Sequence, residues 1–72
     1  MNDVIDEELE YIRERFNFDY TLNFQIKHNI QIVRGIDCQY MCYIDGRVYA
    51  VMLTFMGALV EGIEKYNLIH KQ

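Results

Sequence analysis

The dipeptide Asp45-Gly46 separates two apolar runs, CQYMCYI before it and RVYAVMLTF after it. A two-residue type I′ turn needs positive φ at both central positions, which aspartate tolerates and glycine favours. The pair therefore predicts a tight hairpin over residues 38–53. In that register Ile44 faces Arg47, Cys42 faces Tyr49 and Tyr40 faces Val51. Side chains alternate along a strand, so one face carries Cys38, Tyr40, Cys42, Ile44, Tyr49, Val51 and Leu53. The other carries Met41, Tyr43, Val48, Ala50 and Met52. Neither face is polar, and a fold that contains this hairpin must find cover for both.

The flanking segments supply part of that cover. Ile5, Leu9, Ile12 and Phe16 recur at helical spacing, predicting an amphipathic helix from Asp3 to Phe16. Asp3, Glu7, Glu10 and Glu14 fall on its opposite side. Acidic residues come early and Arg13 and Arg15 come late, as the helix dipole favours, with Asn2 or Asp3 available as a cap. At the other end, Thr54 can cap a helix from Phe55 to about Ile69. Its stripe is Phe55, Leu59, Ile63 and Tyr66, widened by Met56, Val60 and Ile69. Gly57 and Gly62 each cost that helix about 1 kcal/mol relative to alanine. Gly62 lies in the apolar face, where its missing side chain leaves room for a close neighbour.

Between the first helix and the break at Arg34–Asp37 the period changes. Tyr20, Leu22, Phe24, Ile26, Ile30 and Ile32 are all at even positions, with Thr21, Asn23, Gln25, Lys27 and Gln31 between them. Period two predicts β-structure with one wet face. A turn at Lys27-His28-Asn29 would make it a hairpin; one long bent strand is the alternative. The whole is then a single α+β domain spanning residues 1–72: helix, four-stranded antiparallel sheet of two hairpins, helix, with both helices on one face.

Composition narrows the function. Seventy-two residues allow one modest core, yet 51% of them are hydrophobic, so apolar side chains must remain near the surface. A net charge of −4 disfavours a hold on phosphate backbones or anionic lipid. The N-terminus MNDVIDEELE lacks the basic start and apolar run of a secretory signal, and the apolar stretch Val48–Val60 is too short to cross a bilayer. These features predict a cytoplasmic protein that binds neither membrane nor nucleic acid directly.

Catalytic chemistry has little to work with. The chain has no serine, no glycine-rich phosphate loop and no HExxH. Cys38 and Cys42, four apart on one strand, lie roughly 13 Å apart, beyond the ~7 Å that a disulfide spans. They and the two histidines, His28 and His70, lack zinc-finger spacing. No catalytic residue, metal or cofactor is expected.

The last helix opens TFMGALVEG, and in element order the chain resembles the double-stranded-RNA-binding domain. That family grips phosphates through a lysine-rich start to its last helix; here the first lysine is Lys65, so the activity is not implied. In size, acidity and compact α+β form the chain is also similar to small phage-encoded inhibitors of host defence, anti-CRISPR proteins among them. This similarity implies an acidic inhibitor whose row Asp3, Glu7, Glu10 and Glu14 competes with nucleic acid for a basic surface.

The residues themselves point first to a protein-interaction module, self-associating as a homodimer and acting as an inhibitor or adaptor. Its expected contact residues are Tyr40, Met41, Cys42, Tyr43, Ile44, Tyr49, Val51 and Met52 of the hairpin, with Met56 and Val60 of the last helix. A small-ligand site between sheet and helices is the third possibility.

Overall fold

The computed structural model describes residues 3–71, excluding the Asp3 side chain. The expected Asn2 or Asp3 cap and Asp3's place in the acidic row lie outside the described residues. The order is α1 (Asp3–Arg15), α2 (Phe18–Lys27), β1 (Ile30–Arg34), β2 (Tyr40–Ile44), β3 (Arg47–Met52) and α3 (Phe55–Ile69). The strands form one antiparallel sheet in the order β1-β2-β3. Three strands and three helices thus replace the expected four strands and two helices. Residues 18–27 are neither half of a hairpin nor part of a long strand.

Local capping explains that correction. Asn17 is extended, and its side chain accepts the Tyr20 N–H at 2.8 Å, closing the first turn of α2. Asp19 lies in the first turn and Lys27 in the last, both favoured by the dipole. The buried residues of α2 are Thr21 and Phe24, three apart and hence on one helical face. Even-numbered Leu22 and Ile26 stay exposed. The even-numbered set Tyr20, Leu22, Phe24 and Ile26 therefore shares no single face. His28 is the C-cap, its N–H returning to the Phe24 carbonyl at 2.9 Å, so Lys27-His28-Asn29 is a helix exit.

The Asp45-Gly46 turn forms as expected, with φ of 53° and 87°. Ile44 pairs with Arg47, but an irregularity between Cys42 and Tyr43 then shifts the ladder. Cys42 pairs with Ala50, Met41 with Val51 and Tyr40 with Met52. One extra residue reverses the facing of everything beyond it. Ala50 and Met52 therefore join the Cys42 face, while Val51 leaves it. The bulge lets Tyr49 meet the Tyr66 ring, centroids 5.3 Å apart, while the next residue, Ala50, is buried.

The core is Phe24, Cys42, Ile44, Ala50, Ala58, Leu59 and Ile63, ringed by half-buried Ile30, Ile32, Tyr40, Tyr49, Met52, Met56 and Tyr66. Helix α3 starts at Thr54, whose hydroxyl accepts the Gly57 N–H at 2.9 Å. It lies chiefly over β3 and β2, while α1 packs on α3. Phe24 of α2 meets Tyr66 of α3 edge to face, centroids 5.4 Å apart. Among the described residues no helix is long and apolar enough to cross a membrane.

The α1–α3 contact is polar at its centre. Glu8 is 8% exposed. Its carboxylate accepts the N–H groups of Leu53 at 2.6 Å and Thr54 at 3.1 Å, and the Thr54 hydroxyl at 2.8 Å. The Tyr11 hydroxyl donates to Glu61 and, at 2.8 Å, to Glu64, and Arg15 lies 4.5 Å above the Tyr11 ring. Of the expected stripe, Ile5, Ile12 and Phe16 are half-buried beside Glu8. Leu9 is left 47% exposed.

Asp45 also ties α2 to the hairpin. It accepts the Asn29 N–H and meets His28 Nδ1, each at 3.0 Å. The Asn29 bond foremost, then the histidine, hold its carboxyl below the usual range. A lowered folded-state value gives stability that is full above the ordinary carboxylate pKa and lost as pH falls through the lowered one. Asp45→Asn, which keeps a residue tolerant of positive φ, is expected to melt below wild type at neutral pH. The gap should close on acidification, as melting temperatures across an acid titration will show.

Candidate interaction surface

Register places five apolar side chains on the sheet face away from the core. β1 pairs Val33 with Met41 and Gln31 with Tyr43. β3 pairs Val51 with Met41 and Val48 with Tyr43. The result is two rows across the strands, Val33–Met41–Val51 and Gln31–Tyr43–Val48. Val33, Val48 and Val51 are exposed, Val48 at 51%, while Met41 and Tyr43 are half-buried by their neighbours. Ile36, in the loop between β1 and β2, is 99% exposed. That loop is closed by the Gly35 N–H bonding the Gln39 carbonyl at 2.6 Å. A shallow groove lined by Arg34, Ile36, Gln39 and Met41 joins it to the sheet.

A second apolar strip lies on α2. Phe18, Leu22 and Ile26 recur every four residues on the side away from Phe24, with Ile26 at 75% exposure.

The expected contact residues divide three ways. Cys42 and Ile44 are wholly buried and Val60 nearly so, which removes them from any contact surface of this chain. Tyr40, Tyr49, Met52 and Met56 pack around the core on the α3 side. The Tyr49 hydroxyl meets His70 Nε2 at 3.1 Å, and the Tyr40 ring lies 6.2 Å from Phe55. Met41, Tyr43 and Val51 are on the open face. Val33, Val48 and Ile36 complete that surface and are absent from the expected contact residues. Val48 shares the Tyr43 face in either register, so alternation alone is enough to include it.

In the acidic row, Glu7, Glu10 and Glu14 are exposed as expected. Glu10 pairs with Arg13 at 2.8 Å and Glu14 with Arg15 at 3.3 Å, partly neutralising the row within its own helix. Among the described residues no group of three or more His, Cys, Asp or Glu side chains is placed to hold a metal ion. Burial pushes the Cys42 thiol up to about 11, which suits a small core residue better than a nucleophile. A hollow of about 120 Å³ between Arg15, Tyr20, Thr21 and Ile63 is well below the usual size of small-molecule sites.

No family model, curated protein or solved structure matches the chain. Helix α2, inserted between the first helix and the sheet, also departs from the element order on which the RNA-binding resemblance rests.

Proposed function

We propose that this protein is a non-enzymatic interaction module, an inhibitor or adaptor that binds another protein through the open face of its sheet. The observation that carries this reading is the pair of apolar rows Val33–Met41–Val51 and Tyr43–Val48, with Ile36 standing at their end. At roughly 25 cal/mol per Å², covering a few hundred Å² of such surface contributes several kcal/mol before the costs of association. Folded monomers rarely leave larger patches unused. Methionine and tyrosine suit the role, one adaptable and the other amphipathic. The complementary partner surface is apolar and shallow, with a recess for Ile36.

The test is affinity capture from the native host with three forms of the protein. Wild type and a Glu7→Lys, Glu10→Lys, Glu14→Lys variant are expected to retain the same stoichiometric partner. Val48→Glu with Val51→Glu, at exposed positions, should weaken that capture at least about tenfold by placing charge in a dry contact. Capture lost with the α1 variant and kept with the sheet variant would reject this reading. Thermal melts of all three establish that each is folded.

A further inference from the structure

β1 is bonded to the sheet on one side only. Two backbone bonds set its parity: Asp45 N–H to the Asn29 carbonyl at 2.8 Å, and Gly35 N–H to the Gln39 carbonyl at 2.6 Å. Bonded pairs alternate in an antiparallel ladder, so Asn29, Gln31, Val33 and Gly35 turn their backbone groups toward β2. Ile30, Ile32 and Arg34 turn theirs to the outer edge. Proteins usually blunt such edges with proline, lysine, a bulge or a covering segment. β1 reads IQIVR, with no proline or lysine, and the register along it is unbroken. The other edge strand, β3, carries the bulge.

We infer that β1 pairs antiparallel with β1 of a second copy about a two-fold axis at Ile32, joining two sheets into one of six strands. This is the register that engages the outward groups of Ile30, Ile32 and Arg34 together. Ile32 then opposes the partner's Ile32, and Ile30 opposes the partner's Arg34. Gln31 opposes the partner's Val33 on the open face. The one charged residue of the strand meets an isoleucine and not its own copy, so no like charges face each other.

The strand itself supports a second copy as the occupant: its outward backbone groups at Ile30, Ile32 and Arg34 match those of its own copy about Ile32, with no charge facing a like charge. Ile32, half-buried at the core margin, gains cover from the partner's Ile32, and Ile30 from the partner's Arg34. This inference is independent of the proposed partner site, because it uses the strand edge and the partner site uses the strand face.

Sedimentation equilibrium on the purified chain tests it without any other protein. Wild type is expected to be dimeric at micromolar concentration. Ile32→Pro removes an outward N–H at the axis and leaves the β1–β2 bonds intact; it should be monomeric. Because Ile32 also touches the core, a charge pair provides the deciding measurement. Gln31→Lys with Val33→Lys sets lysines opposite one another across the axis, and is expected to weaken dimerisation at least about tenfold at low salt. Gln31→Glu with Val33→Lys sets opposite charges there and should restore it. A wild type that stays monomeric at high micromolar concentration overturns the inference, as does a dimer whose dissociation constant is the same in both charge variants.

Discussion

Glu8→Ala is expected to destabilise the protein by about 3 kcal/mol, read as a lowered urea midpoint at unchanged slope. Three donors converge on this carboxylate: the Leu53 and Thr54 N–H groups and the Thr54 hydroxyl. They belong to the start of α3, where free N–H groups and the helix dipole both favour an anion. Gly57 leaves the space the carboxylate occupies, since a Cβ there would sit 2.5 Å from Glu8 Oε1. Truncation strands partly buried donors and unties α1 from α3 in one step. A domain of this size has roughly 4–11 kcal/mol in total at about 0.05–0.15 per residue, so the loss is a large share. Glu8→Gln keeps an acceptor and loses the charge, and should fall about midway. A wild-type midpoint for Glu8→Ala would show that the tie contributes nothing.

Gly62→Ala is the second large effect, and its sign is diagnostic. In an open helix the change would stabilise by about 1 kcal/mol. Here a Cβ would overlap Cys42 Sγ and sit 2.9 Å from Cys42 Cβ. Cys42 is wholly buried in the sheet beneath α3 and has no room to retreat. Overpacking of this kind costs about 1–3 kcal/mol against a propensity gain of about 1 kcal/mol, so a net loss of about 1 kcal/mol is expected in place of a gain. In a Cys42→Ala background the sulfur clash is gone, and part of the loss should return as a coupling between the two sites. Equilibrium unfolding of the four proteins measures it. A stabilised Gly62→Ala in the wild-type background would mean that helix and strand pack less tightly than these distances require.

Both effects centre on residues whose importance the chain discloses unevenly. Gly62 stands out as a costly glycine in an apolar helical face, and its missing side chain admits Cys42. Glu8 reads as one acid among several on a wet helix, because nothing local marks a carboxylate that a distant helix start will claim. The period-two run ahead of β1 misleads for a related reason. Tyr20, Leu22, Phe24 and Ile26 alternate, yet Phe24 alone is buried. The signal that competes with the alternation, an Asn17 cap followed by Asp19 in the first turn, is present in the chain.

The contact surface is half legible in the chain. Alternation along β2 is enough to put Met41 and Tyr43 together on one face. It does not say that α3 will take the opposite face, nor that a bulge will exchange Ala50 and Val51. Cys42, Ile44 and Val60, expected at a contact surface, belong to the interior for that reason.

What the amino-acid order determined alone are the features governed by a few adjacent dihedrals: the Asp45-Gly46 turn, the Thr54 cap, and a helix over Phe55–Ile69. Their energies are local, so neighbouring residues suffice to state them. The facing of β3, the burial of Glu8 and the choice of which sheet face stays open were decided only by how α3 packs on the strands and on α1. Those outcomes depend on packing between segments tens of residues apart, and no short stretch of the chain contains both partners.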